Sequence, residues 1–450
     1  MKHQDPRARL LFVTLGCAKN EVDTDRMRAR LLSAGFAEAL DVDEADAVLV
    51  NTCSFLASAT SESIEVTLEL AEAAAEGVRA RPIVMCGCVP SRYGTELVPE
   101  LPEVQAFVPV DEEDGIVGVV ERVLGLQESG ACASAVLRTV DGASAYVKIS
   151  DGCDRYCSFC AIPYIRGRYA SRSYEQIAAE VQALLQGGVR EIVLIGQDTG
   201  VWGSDLGQGE SLATLLVRLG ALAEPFDAWL RVLYLQPEGM TDELVAAIRD
   251  TPSVLPYIDI PIQHCSERVL RSMNRHGSPA EYAALFARLR KEIPGMVLRS
   301  TAMAGFPGET DEEADELYEF IRAQELDYCS VFAYSQEEGT RAARMAGQVS
   351  EEVKAERTQA LVDLTEQLGF AATASHVGEL ADVIIDGLEE GPEGAELIGH
   401  AWFQAPDSDG AVHIAQGEAA VGDKVRVRLV DAFCYELVGE IVDAGEREGR

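Results

Sequence analysis

The sequence predicts an α/β chain in three parts: an N-terminal parallel α/β sheet domain, a central partial (β/α)6 barrel that is an incomplete version of the eight-unit TIM barrel, and a small C-terminal β-barrel. Three observations carry this. Short apolar runs alternate with helical periodicity from about residue 8 to 124, and the alternation resumes at 145 and repeats six times. Beyond residue 375 the pattern changes to short β runs punctuated by Gly and Pro. Domains are therefore expected at 8–125, 139–375 and 377–443, with a Ser/Gly/Ala-rich linker at 127–139. A length of 450 residues has room for them.

Composition limits the function classes. Hydrophobic residues make up 47% and charged residues 25%, as in globular proteins. No apolar run has membrane-spanning length, and the first 20 residues lack the order of a signal peptide, so the expected location is the cytoplasm, where eleven cysteines stay reduced. The net charge of −37, from 75 acidic and 38 basic residues, repels phosphate backbones and attracts basic partners; it equally suits plain solubility.

In the first domain, strands are expected at 10–15, 47–51 and 82–86, and helices at 21–34 and 58–75. Cys17, Cys53 and Cys88 each fall just past the carboxyl end of one of these strands, 36 and then 35 residues apart. Ligand sites of open α/β sheets form at that edge, so the three cysteines are candidates for one metal site. Cys86, Cys132, Cys265, Cys329 and Cys434 read instead as small apolar residues.

The central domain opens with Asp151-Gly-Cys-Asp-Arg-Tyr-Cys-Ser-Phe-Cys160, in which Cys153, Cys157 and Cys160 follow C-x-x-x-C-x-x-C with aromatic Phe159 before the last. Short thiolate runs of this kind hold iron–sulfur clusters. Three thiolates on a four-iron cubane leave one iron open, the mark of a reactive centre. A structural zinc site or plain reduced cysteines are the alternatives, but zinc wants four ligands and the closest histidine is His264.

Strands are expected at 146–149, 191–195, 229–235, 257–261, 297–301 and 328–333, with helices at 174–186, 212–222, 242–249, 267–273, 280–291 and 312–323. Barrel sites lie at the carboxyl ends of strands, which is where Gly196, Gln197, Gln236, Gln263, Arg299 and Tyr334 fall; each suits ligand contact or a strand-end hydrogen bond. His264 beside Cys265 gives too few ligands for a metal and reads as a hydrogen-bonded wall of the site. Neither the stretch 203–209 nor 304–310 has the context of a nucleotide loop.

After a helical stretch at 350–375, five strands are expected at 380–385, 397–403, 411–415, 424–430 and 436–442. From residue 377 to the end, 17 acidic side chains face 5 basic ones, a net of −12, the wrong sign for a phosphate backbone.

The cysteine loop resembles the signature of the radical S-adenosylmethionine (SAM) superfamily. The resemblance implies that the open iron of a 4Fe-4S cluster on Cys153, Cys157 and Cys160 binds SAM and cleaves it to a 5'-deoxyadenosyl radical. Gly196-Gln197 resembles the stretch that meets the SAM amino group, although no Gly-Gly-Glu is present. Phe159, Gly196, Gln197, Gln236, Gln263 and Arg299 are the expected cofactor contacts. Thr14-Leu-Gly-Cys-Ala-Lys-Asn-Glu21, Asn51-Thr-Cys53 and Gly87-Cys88 resemble the N-terminal domain of the methylthiotransferases, which implies a second 4Fe-4S cluster on Cys17, Cys53 and Cys88. The terminal barrel resembles a TRAM domain.

Asp151 to Pro163, Ile260-Pro-Ile-Gln-His264 and Phe332-Ala-Tyr-Ser-Gln-Glu-Glu-Gly339 resemble the branch that modifies an aspartate of the twelfth small-subunit ribosomal protein, a basic partner that an acidic barrel complements. That branch uses SAM twice, once to methylate a sulfur and once to abstract a hydrogen from the aspartate β-carbon, with an electron donor such as flavodoxin or ferredoxin. No catalytic residue beyond the cluster ligands is implied. The alternatives are a tRNA methylthiotransferase and an iron–sulfur electron carrier or scaffold.

Overall fold

The computed structural model describes residues 6–75, 81–128, 137–140, 142–207, 209–391 and 394–442. Cys132, most of the expected linker and residue 443 lie outside them. The first domain is a five-stranded parallel sheet in the order β2-β1-β3-β4-β5, with β1 Arg9–Thr14, β2 Ala37–Glu38, β3 Ala47–Thr52, β4 Ile83–Gly87 and β5 Val104–Pro109. Strands β3 and β4 are buried along their whole length because helices cover both faces, which is why they read as unbroken apolar runs. Those helices are α1 Ala18–Ser33, α2 Ala57–Ala75, α3 Cys88–Tyr93, α4 Leu97–Glu100 and α5 Ile116–Val123. Strands β2 and β5 go beyond the sequence expectation; β2 has two residues, and β5 alternates buried and exposed positions as an edge strand does.

The central domain holds the six expected parallel strands in one succession, β6 Ser144–Lys148, β9 Glu191–Ile195 and β10 Trp229–Val232 and then β11 Tyr257–Asp259, β12 Val297–Ala304 and β13 Tyr328–Ala333. They form two parallel triples, β10-β9-β6 and β11-β12-β13. The two-residue strands β7 Ser150–Asp151 and β8 Ala170–Ser171 pair antiparallel and close off the cysteine loop. Between the triples a single bridge, Leu230 to Val254, stands in for a ladder. The ladder is irregular because β10 ends at Val232 and Tyr234 takes φ 62°, yet the chain keeps bonding on both sides as far as residue 235, Leu233 N to the Leu194 carbonyl at 3.1 Å and Leu235 N to that of Asp259 at 3.0 Å. Around the sheet lie α6 Ile162–Ile165, α7 Tyr174–Gly187, α8 Leu212–Ala223, α9 Asp242–Asp250, α10 Glu267–Ser272, α11 Pro279–Glu292 and α12 Asp311–Gln324. Helices α7, α8 and α12 start on Ser173, Ser211 and Thr310, each in a capping box that satisfies the first free amides.

Helix α13 Glu351–Ser375 leads to a closed barrel in the order β14-β15-β16-β18-β17, with β14 Leu380–Gly391, β15 Gly394–Ala401, β16 Val412–Gln416, β17 Lys424–Ala432 and β18 Leu437–Ile441. Its loop 402–410 sits against the central domain. Arg231 donates to the Trp402 carbonyl at 3.0 Å, Tyr146 to that of Pro406 at 3.1 Å, and Tyr257 to the Asp409 carboxylate. Cys86 and Cys265 are buried among apolar side chains. Cys329 and Cys434 are only half-buried, the latter because its thiol sits at the junction with α13, 3.8 Å from the Glu366 carbonyl.

Candidate functional site

Three residues at equivalent strand ends come together in the first domain. Cys17 caps the start of α1, Cys53 follows β3, and Cys88 opens α3 directly after β4. Asn20 lies among them: its Oδ1 is 3.5 Å from Cys17 Sγ and 4.0 Å from Cys88 Sγ, while its amide donates to the Thr52 carbonyl at 2.8 Å. Ser63 fixes the Cys53 backbone, accepting from its N–H at 3.1 Å and donating to its carbonyl at 3.0 Å.

Two glycines make the approach possible. Gly16 (φ 100°) leaves room where a Cβ would stand 2.6 Å from Cys53 Cβ. Gly87 (φ 91°) does so where a Cβ would stand 2.2 Å from Asn51 Oδ1 and 2.9 Å from the Thr52 carbonyl. Gly87→Ala is therefore expected to displace Cys88 and to remove about half of the iron from the reconstituted protein, read by iron and sulfide analysis beside the wild type.

The second triad sits past β6. The loop 152–160 is laced to its surroundings by main-chain bonds: Cys153 N to the Gly167 carbonyl at 3.2 Å, Ser158 N to that of Met273 at 2.9 Å, and Cys160 N to that of Cys157 at 3.0 Å. Asn274 donates to the carbonyls of Arg155 and Tyr156 at 3.0 and 3.1 Å, which holds Tyr156 at φ 49°. Arg155 pairs with Asp198, and with Glu238 at 3.0 Å. Arg275 approaches Cys157 Sγ at 4.0 Å and donates to Gln236 Oε1 at 2.6 Å and to the Pro261 carbonyl at 2.8 Å.

The donor sets fit a polynuclear metal group. Burial foremost, then the neighbouring thiols, pushes the Cys160 thiol up to about 12; burial pushes Cys88 up to about 11 although Arg166 pulls the other way. Three thiolates in such surroundings form only against a positive counter-charge, and a metal supplies it.

The two triads share one seam. Helix α6, directly after Cys160, places Ala161 and Ile165 against Cys88 in a small buried cluster. Arg166, next in the chain, donates to Asp23 Oδ2 at 2.8 Å and to Asn20 Oδ1 at 3.2 Å, and lies 3.6 Å from Cys88 Sγ. Lys148 bridges Asp23 and Asp151 at 2.5 Å to each, with Lys148 and Asp23 3% and 1% exposed. Above Cys53, Glu337 accepts from Ala57 N at 2.8 Å and from Arg92 at 3.1 Å, clamping the first domain to the loop after β13.

Of the other sequence-predicted residues, Gln197 donates to Asp151 Oδ1 at 3.1 Å and leaves its own buried Oε1 without a hydrogen-bond partner. Gly196 lies so close to Ser150 that a Cβ would be 2.5 Å from its Oγ. Gln236 belongs to the Arg275 contact, and Gln263, at φ 67°, bridges to β12. Phe159 packs against the central core. Arg299 lies near the start of β12, not at the carboxyl end expected of it, and spans toward the terminal barrel, bonded to Asp409 at 3.1 Å, Asp259 at 3.3 Å and Ser330 at 2.9 Å. Tyr334 is buried, its ring 5.6 Å from that of Phe306. His264 differs from the expected site wall: it is fully buried, and its Nδ1 accepts from the amides of Cys265 and Ser266 at 3.0 Å, which makes it a turn cap. Sequence reasoning missed Asn20, Asp23, Lys148, Arg166 and Arg275; Asn20, Asp23, Lys148 and Arg166 lie within six positions of a cluster cysteine, whereas Arg275 carries no such local signal.

Comparison with known proteins follows the same division. Residues 147–321 match the radical SAM superfamily, 9–109 the uncharacterized protein family UPF0004, and 377–442 the TRAM domain. The chain is similar to the ribosomal protein uS12 methylthiotransferase RimO of Geobacter sulfurreducens, at 41% identity over 97% of this chain and 99% of the relative. It is also similar to those of Trichlorobacter lovleyi (39%, 97% and 99%) and Thermosynechococcus vestitus (39%, 97% and 97%). Among solved structures, the radical S-adenosylmethionine methyltransferase TsrM of Kitasatospora setae shares the fold at TM-score 0.56, with 13% identity over 83% of this chain and 77% of that one.

Proposed function

The chain belongs to the family of ribosomal protein uS12 methylthiotransferases, and from that premise we propose that it transfers a methylthio group to the β-carbon of an aspartate in that small-subunit protein. The observation that carries the proposal is the common seam of Cys17, Cys53 and Cys88 with Cys153, Cys157 and Cys160, where Ala161 and Ile165 touch Cys88. In this reading the second set would hold a 4Fe-4S cluster whose open iron supplies SAM cleavage, and the first set would hold a 4Fe-4S cluster at which the sulfur to be methylated and transferred is bound.

The protein's own part is placement. Gly16 and Gly87 let the three strand ends close on one point; Asn274, Met273 and Gly167 keep the second loop in one shape. Phe159 in that loop and Gly196, Gln197, Gln236 and Gln263 are the proposed SAM contacts; the free Oε1 of buried Gln197 is an acceptor suited to the amino group. Arg299 is proposed as a strut to the terminal barrel that shapes this wall. Helix α6 and the Glu337 clamp keep the two sets adjacent.

A protein substrate agrees with the terminal barrel. Of its described basic side chains, Lys424 is engaged with Asp227 and Arg426 with Asp382, so the acidic excess is not offset by a free basic stripe. Electrons would come from a carrier of the flavodoxin or ferredoxin type, and the reaction belongs in the cytoplasm; no helix among the described residues is long and apolar enough to cross a membrane.

The test offers the reduced, reconstituted enzyme the purified ribosomal protein and bulk tRNA in parallel, with mass spectrometry for a methylthio addition. Modification of the protein at one aspartate is the expected result. Modification of tRNA alone would overturn the assignment.

A further inference from the structure

Arg166 enters the seam six residues after Cys160 with only 2% of its side chain exposed. Its two terminal nitrogens divide the work: one serves Asp23, with Asp151 at 3.4 Å, and the other serves Asn20 and faces Cys88 Sγ. Lys148 provides one cation to the two carboxylates Asp23 and Asp151, and Arg166 provides the second, which balances them. With two cations against two carboxylates the group is balanced before any thiolate forms, and each thiolate formed at Cys88 draws on Arg166. A guanidinium is always charged and presents a rigid fork, so it can hold a carboxylate with one nitrogen and a sulfur with the other; a lysine ammonium cannot span both.

We propose that Arg166 is a positioning residue for methylthio transfer: it donates to the Cys88 sulfur, raises the reduction potential of the cluster on Cys17, Cys53 and Cys88, and ties that cluster to the loop of the other. The tie runs through Asp151, which accepts from Arg166, Lys148 and Gln197 together and lies two residues before Cys153. Hydrogen bonds and positive charge at cluster sulfurs favour the more negative, reduced state, which gives the sign of the effect. This inference rests on the two-cluster reading of the proposed function.

The experiment is potentiometry followed by electron paramagnetic resonance on the reconstituted full chain, with iron counted first. In Arg166→Gln the midpoint of the N-terminal cluster is expected to move to lower potential and that of the Cys153 loop cluster to move less. Methylthio transfer should fall about 10–100-fold, the usual cost of losing an outer-shell partner. Arg166→Lys keeps the charge and should recover part of the shift. Asp23→Asn removes the competing carboxylate and should move the midpoint the opposite way.

An Arg166→Gln protein with full iron and an unmoved midpoint overturns the proposal. If that variant takes up no iron, Asp23→Asn decides, and the absence of an upward shift overturns it. A wild type holding only about four irons would instead sink the two-cluster reading itself.

Discussion

Replacing Cys17, Cys53 and Cys88 together with alanine is expected to lower the iron of the reconstituted protein from about eight to about four per chain and to abolish methylthio transfer, while SAM cleavage to 5'-deoxyadenosine and methionine persists. The asymmetry follows from the fold. The loop that carries Cys153, Cys157 and Cys160 is held by bonds from Cys153 N to Gly167, from Ser158 N to Met273 and from the Asn274 side chain to Arg155 and Tyr156, all inside the central domain, and none of these depends on the first triad. The complementary variant, Cys153→Ala with Cys157→Ala and Cys160→Ala, should keep about four irons and lose both activities. Iron and sulfide analysis beside chromatographic assay of 5'-deoxyadenosine reads both. A first-triad variant with undiminished iron would remove the second cluster site from the account.

The second large effect concerns stability. Glu191 opens β9 and is fully buried between Arg231, at 2.6 Å, and His400 of the terminal barrel, which also pairs with Asp386 at 2.6 Å. Burial alone would raise the Glu191 carboxyl, but Arg231 and His400 outweigh it and hold it at about 2. For His400, burial lowers and the two carboxylates raise, leaving it at about 9. Glu191→Ala leaves Arg231 in the interior without its carboxylate and His400 with Asp386 alone, a loss of about 3–5 kcal/mol in unfolding free energy.

The pH dependence has a definite sign. His400 titrates above its unfolded value, so its contribution is complete below about pH 6.5 and disappears as pH rises through about 9. The unfolding midpoint of the wild type should therefore drop across that interval, whereas His400→Gln should be flatter there. A wild-type midpoint that holds steady from neutral to alkaline pH would contradict it.

Much of the site was legible in the chain because its signals are local. Cys153, Cys157 and Cys160 lie within eight positions, and a thiolate run that short announces a cluster without any fold. The grouping of Cys17, Cys53 and Cys88 needed one further step, that equivalent strand ends of a parallel sheet lie on one edge, and the sheet order β1-β3-β4 makes those three strands direct neighbours. The partners of Arg299 were not legible: an arginine on a strand looks the same whether it meets a ligand or, as here, Asp409 from another domain. His264 was misread for the same reason, since a side chain that caps its own turn leaves no periodic trace.

By itself, the sequence determined the three-part α/β architecture, the two cysteine sets and the acidic terminal barrel, because periodicity, spacing and net charge are properties of neighbours along the chain. Only the tertiary structure decided that α6 brings the sets to one seam, that Arg166 reaches Asp23 across 143 residues, and that the terminal barrel's His400 meets Glu191. Those outcomes depend on which buried charges find counter-charges once domains dock, and burial makes each pairing obligatory without leaving a mark in local sequence.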